Sequence, residues 1–144
     1  MKIGIVNGPN LNLLGKREVD LYGNRSFKDY QEKLALSFPG VEFQFCQSNV
    51  EGELINYLHA MNEDLELQGI LLNAGGYTHT SVAMGDAVAG IDKPVVEIHI
   101  SNIFAREEFR HKSYIGRAAI GSISGFGLGS YDLGVLAILK AVEH

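Results

Sequence analysis

Disulfides have no place in this chain. It holds one cysteine, Cys46, so no intrachain bridge can form. Tryptophan is absent and proline is scarce, at 3 residues. Long apolar runs are missing as well. The longest, Ile70–Leu72 and Val135–Leu139, fall far short of the ~20 residues of a membrane span. No basic start, apolar stretch and small-residue cleavage site occur together. These absences lead us to expect a soluble cytoplasmic protein with no membrane partner. Positive charge is also short: 12 Lys and Arg face 17 Asp and Glu, for a net −5. That balance argues against nucleic acid as a partner, because such binding draws its affinity from phosphate neutralisation.

What is present is enough for one core. The 144 residues are 46% hydrophobic, so residues 1–144 are read as a single domain. Strand-like and helix-like segments alternate. Lys2–Asn7 is short and β-branched and runs into Gly8-Pro9. Ser26–Phe38 sets Phe27, Tyr30, Leu34 and Phe38 at helical spacing, with Ser26 as N-cap and Pro39-Gly40 as the stop. Val41–Gln47 alternates like a strand. Glu51–Asn62 shows one apolar helical face. Ile70–Asn73 and Val95–Ile100 read as strands, and Ser81–Ala89 as a small-residue helix. Arg106–His111 reads as a short polar helix, Ala119–Ser124 as a weaker strand, and Ser130–Val142 as a closing amphipathic helix. Cys46 reads as a buried small residue of the second strand rather than a nucleophile.

Five strands, each followed by a helix, imply an α/β chain with a parallel sheet covered on both faces. Right-handed crossovers leave few topologies. We expect a flavodoxin-like three-layer sandwich of strand order 2-1-3-4-5. In that order the ends of strands one, three and four lie side by side, and ligands of such sheets bind at those carboxyl ends.

The chemistry-bearing residues gather there. Asn7-Gly8-Pro9-Asn10-Leu11-Asn12-Leu13-Leu14-Gly15, then Arg17-Glu18 and Tyr22-Gly23, follow strand one. Asn73 to Ser81 follows strand three. Glu97-Ile98-His99-Ile100-Ser101-Asn102 closes strand four and leads to Arg106–His111. These blocks resemble type II 3-dehydroquinate dehydratase (dehydroquinase), a cofactor-free family of the shikimate pathway, and the resemblance runs from Ile5 to Tyr131. The chain departs from the family pattern at Val19 and Ala74, where proline is more usual. It departs also at Gly76, where alanine is common, and at Met84-Gly85, where a basic residue is common.

The resemblance implies loss of water from 3-dehydroquinate to give 3-dehydroshikimate, by anti elimination through an enolate. Such chemistry needs a base, an enolate holder and an acid. Tyr22 is then the base. A phenol of reference pKa ~10 must ionise near neutrality, which asks ~4 kcal/mol of its surroundings. One guanidinium ~4 Å away at an effective dielectric of ~20 supplies about that much before desolvation. Arg17 alone is marginal, and the resemblance brings Arg106 as a second cation. Outside its block, Tyr22 would read as a half-buried loop aromatic. His99 is the candidate acid. On a strand, Glu97 shares its face and can orient the imidazole. A strand-end histidine satisfied by backbone groups is the plainer alternative.

Asn10 would hold a water against the enolate oxygen; it also suits an Asx-type turn after Pro9. Asn73 and His79 would bind substrate hydroxyls, or serve as a turn residue and a cap near Thr80. The backbone amides of Ile100 and Ser101 would take the substrate carboxylate, with Arg110 as the substrate-binding arginine. Arg106 and Arg110 also suit solvated surface paired with Glu107 and Glu108. Asp86 would be lent to a neighbouring subunit's site, within trimers that build a homododecamer. His79 and His99 can approach across the strand ends, but no His-x-x-x-His spacing occurs, so no metal is expected. Gly15 and Gly23 bracket Arg17 and Tyr22 as permissive ends of a lid.

Other functions fit the motifs less well. Gly8-Pro9-Asn10 is neither Gly-x-Gly-x-x-Gly nor a P-loop, against a flavin or nucleotide carrier. Asn7 and Asn10 stand where a phospho-receiver needs acids. Lys16 and Lys112 are flanked by charge rather than by the apolar shell a Schiff-base lysine needs.

Overall fold

The computed structural model describes residues 1–16, 20 and 25–143. Among these residues, one sheet holds five strands: β1 Lys2–Asn7, β2 Glu42–Gln47, β3 Leu67–Asn73, β4 Val95–His99 and β5 Gly121–Ser124. Their order is β2-β1-β3-β4-β5 and every pairing is parallel, as the alternation of segments implies. The α-helices whose bounds fall within the described residues are α1 Phe27–Ser37, α2 Glu51–Glu63, α3 Val82–Gly90 and α4 Gly129–Ala141.

Strand parity divides the core in two. Ile3 and Ile5 of β1, Leu71 of β3, and Val96 and Ile98 of β4 face Tyr30 and Leu34 of α1 and Tyr131, Val135 and Ile138 of α4. Val6, Ile70, Leu72 and Val95 face Leu54, Leu58 and Met61 of α2 and Met84 and Val88 of α3. Successive strand side chains alternate faces, so Glu97 and His99 share the face of Val95, on the α3 side. Both cores are apolar, and apolar burial of this kind is the main drive to fold.

Local signals act as the residue types dictate. Ser26 accepts from the Asp29 amide at 3.2 Å and caps α1; Ser81 accepts from Met84 at 2.9 Å and caps α3. Each satisfies a donor the helix itself cannot pair. β3 starts at Leu67, three residues before the expected Ile70, because Leu67 itself is buried in the second core. Arg106–His111 is not one helix. Two 3-10 turns, Ile103–Ala105 and Glu108–His111, flank Arg106. The Asn102 side chain accepts from the Phe104 amide at 3.1 Å and starts the first of them. Cys46 is half-buried on edge strand β2, where burial pushes its thiol up. No helix among the described residues is long and apolar enough to cross a membrane.

The chain reverses its direction of travel across the sheet between β1 and β3, which opens a crevice at their carboxyl ends. The two loops meet closely there. Gly8 N–H donates to the Asn73 carbonyl at 2.7 Å, and a Cβ on Gly8 would stand 2.5 Å from the Ala74 carbonyl oxygen. Only glycine permits that approach.

Candidate active site

A cavity of about 170 Å³ opens at this crevice. Its walls come from Pro9 to Leu14 after β1, Asn73 to His79 after β3, and His99 to Arg110 after β4. Asn10 stands at its edge in a left-handed conformation, φ 70°, the one non-glycine residue of positive φ among those described. Such strain collects where function requires it. The Asn10 amide donates to Asn49 Oδ1 at 3.0 Å, and Gln47 Nε2 donates to the Gly8 carbonyl at 3.2 Å. The loop is therefore held by backbone contacts, while the Asn10 side chain makes no capping bond.

His99 lines the cavity with Glu97 behind it. His99 Nε2 lies 3.5 Å from Glu97 Oε2. That spacing permits an ion pair but is too long for a good hydrogen bond, and Nε2 is buried with no other partner. Glu97 is 3% exposed. Burial opposes its charge, but the adjacent His99 imidazole and the hydroxyls of Ser113 and Ser122 outweigh burial and hold the carboxyl below its ordinary range. A buried carboxylate anion thus faces the imidazole.

His79 stacks on His99, with ring centroids 6.0 Å apart and planes 23° apart. Its Nδ1 lies 2.7 Å from the Lys112 carbonyl. A carbonyl only accepts, so Nδ1 carries the hydrogen and Nε2 is left as an acceptor. Burial pushes the His79 imidazole down, and His99 and Arg110 add to the effect. His79 is therefore neutral at pH 7. Asn73 is buried at the end of β3, where its Oδ1 accepts from the Gly75 amide at 3.2 Å and its Nδ2 donates to Tyr131 Oη at 3.0 Å. Tyr131 Oη in turn donates to Asn7 Oδ1 at 2.6 Å.

Cations and amides occupy the β4 side. Arg106 Nη1 donates to Ser101 Oγ at 3.2 Å. Arg110 Nε pairs with Glu107 Oε2 at 2.5 Å, and its guanidinium lies 5.2 Å from the Phe109 ring centroid. Both arginines reach the cavity wall, as do Ile100 and Ser101. An anionic ligand is matched by this side of the cavity.

Asn10, Asn73, His79, His99, Ile100, Ser101, Arg106 and Arg110 line the same cavity. Glu97 stands one layer behind them. Asp86 lies exposed on α3 and does not line this cavity. Arg17 and Tyr22, with Val19 and Gly23, lie outside the described residues. Lys112 is turned onto the Tyr114 ring at 4.6 Å, away from the Schiff-base role. Among the described residues no cluster of three His, Cys, Asp or Glu forms a metal-binding set. Sequence reasoning passed over Ser113, Ser122, Asn7 and Tyr131 as site residues. The one available signal was Tyr131, a polar-tipped aromatic on the inner face of α4.

Comparisons with known proteins agree with this geometry. A family model described as Dehydroquinase class II matches residues 1–139. A 3-dehydroquinate dehydratase of an Exiguobacterium species is 52% identical, covering 97% of this chain and 95% of that protein. One from Prochlorococcus marinus is 48% identical, covering 99% and 100%. Among solved structures, a type II dehydroquinase from Butyrivibrio crossotus superposes with a TM-score of 0.90 at 38% identity, covering 96% of this chain and 97% of that one. A type II dehydroquinase from Propionibacterium acnes gives a TM-score of 0.91 at 33% identity, covering 96% of each chain.

Proposed function

The chain belongs to the class II dehydroquinase family, and from that premise we propose that it dehydrates 3-dehydroquinate to 3-dehydroshikimate in the shikimate pathway, by anti elimination through an enolate. The observation that carries the reading is His99 at the cavity wall, backed by the buried Glu97 carboxylate. An acid set against a fixed anion suits the departure of a hydroxyl group.

The base must come from elsewhere. Among the described residues no tyrosine and no carboxylate lines the cavity. His79 donates its Nδ1 hydrogen to a carbonyl, which suits a binding role. Tyr131 is fully buried, and burial pushes its phenol well above the ordinary range, so it stays protonated. These points favour Tyr22 as the tyrosinate that takes the proton alpha to the ketone, with Arg17 and Arg106 lowering its pKa electrostatically.

The rest of the cycle uses the cavity wall. The substrate carboxylate meets the Ile100 and Ser101 amides and Arg110. Asn73 and His79 take its hydroxyls. The α-proton passes to Tyr22, and the electron pair moves onto the ketone oxygen, where Asn10 holds a water against the enolate. The enolate then collapses, the C–O bond breaks, and His99 protonates the leaving hydroxyl as water. With Nε2 turned toward Glu97, Nδ1 is the nitrogen that delivers this proton. Asp86, being absent from its own chain's cavity, is offered to a neighbouring copy within trimers of a homododecamer.

The product is a conjugated enone, so mixing with 3-dehydroquinate raises ultraviolet absorbance. Tyr22→Phe and His99→Ala each cut that rate by about 100-fold or more while the protein stays folded. A Tyr22→Phe protein that keeps its rate refutes the base assignment.

A further inference from the structure

The partners that hold Glu97 in place lie outside the cavity. Ser122 of β5 donates its hydroxyl to Glu97 Oε1 at 2.7 Å. Ser113 donates to Glu97 Oε2, and the direction of that second bond is forced. Ser113 Oγ already accepts from the amides of Ile115 at 3.1 Å and Gly116 at 2.9 Å. A hydroxyl has two lone pairs and one proton. With both pairs engaged, Ser113 can only donate to the carboxyl. It cannot receive a proton from Glu97 Oε2, so that oxygen is held as an acceptor.

The segment that carries Ser113 is itself fixed. The Lys112 carbonyl binds His79 Nδ1, and the Tyr114 amide donates to the Thr78 carbonyl at 2.9 Å. Glu97 Oε2 is the oxygen that faces His99 Nε2. We infer that Ser113 and Ser122 are positioning residues of the dehydration: they clamp Glu97 as an oriented anion, and that anion keeps His99 Nε2–H turned inward and Nδ1 toward substrate. This rests on the reading of His99 as the acid. Against the carboxylate stands His99 on β4, with His79 of the 75–79 turn stacked on the His99 ring and Arg110 of the 108–111 turn acting electrostatically on His79. From β5 the group facing it is the neutral Ser122.

The cleaner variant is Ser122→Ala, because the Ser122 hydroxyl serves only Glu97 among the described residues. Ser113→Ala also strips two backbone amides of their acceptor and risks misfolding, so Ser113→Thr, which keeps the oxygen, is its control. Carbon-13 NMR of glutamate-labelled protein, assigned with Glu97→Gln, reads the carboxyl directly, while kcat and KM are followed against pH. In Ser122→Ala the Glu97 carboxyl takes its proton about one pH unit higher, the worth of a hydrogen bond to a charged group. The acidic limb of kcat moves up with it, KM holds, and Ser122→Thr restores both. A carboxyl titration that stays in place overturns the inference. So does a carboxyl that moves while the kcat limb does not. A wild-type protein without dehydratase activity would instead refute the proposed function, and the carboxyl titration would still report on the clamp.

Discussion

Replacing Tyr131 by Phe removes one oxygen from a buried hydrogen-bond chain. Tyr131 is 0% exposed, Asn7 2% and Asn73 4%, so water cannot replace what is lost. Two bonds disappear together: the 2.6 Å bond to Asn7 Oδ1 and the 3.0 Å bond from Asn73 Nδ2. A buried group left without a partner costs about 1–3 kcal/mol. Asn7 and Asn73 are register partners on β1 and β3, so their carboxamides can recover part of the loss by turning toward each other. We expect a net destabilisation of about 2–3 kcal/mol. Urea denaturation reads it as a lower midpoint at an unchanged slope. That same turning moves the side chain of Asn73, which lines the cavity. KM for 3-dehydroquinate then rises about 10-fold, while kcat falls much less. An unchanged urea midpoint would refute the energetic argument. A lowered midpoint with an unchanged KM would show that Tyr131 holds the core but does not aim Asn73.

Three more outcomes follow from the same geometry. Gly8→Ala places a Cβ 2.5 Å from the Ala74 carbonyl oxygen; crowding of this kind costs about 1–3 kcal/mol, read again in urea, and widens the crevice enough to lower turnover. Glu97 is held below its ordinary range when folded, so the unfolded chain takes up its proton first on acidification. Its stabilising contribution is complete above the free glutamate value of about 4.3 and is lost as pH falls through the lower folded value; thermal melts of Glu97→Gln lose that part of the pH slope. On the proposed homododecamer, light scattering is expected to give a mass near twelve times the 15.7 kDa chain, and Asp86→Ala is expected to lose turnover without altering the cavity of its own chain. A monomer with full activity would refute that assignment.

The sequence shows the sheet and hides part of the site, and both follow from how far each signal reaches along the chain. A strand's two faces can be read in its own alternation, so Glu97 and His99 were legible as a pair on one face. The helix start was legible at Ser26 because a cap acts on an amide three residues away; Ser81, read as the first helical residue, is the cap of its helix by the same kind of bond. The Arg106–His111 segment was misread because 3-10 turns are short and leave no repeating face to count. The deeper layer of the site is made by contacts of another kind. Ser113 and Ser122 meet Glu97 from 16 and 25 residues away, and Tyr131 meets Asn7 across 124. A serine in a loop has a dozen ordinary uses, and nothing beside it in the chain announces a buried carboxylate.

That separation has a physical reason. Groups that touch substrate must sit at the strand ends, where the fold opens, and so they cluster in sequence after β1, β3 and β4. Groups that aim those residues must approach from behind, through the sheet or its flanking layers, and whichever element passes there supplies them. For Asn73 that element is α4, packed on the opposite face from Glu97; for Glu97 it is β5 and the loop before it. The two hydrogen-bond chains therefore run on opposite sides of the sheet and share no side chain. Tyr131→Phe should alter substrate affinity without shifting the acidic limb of kcat, and Ser122→Ala should shift that limb without altering affinity. Combined in one protein, the two changes should add, as independent sites do. Strong coupling between them would mean that the sheet transmits between the two layers.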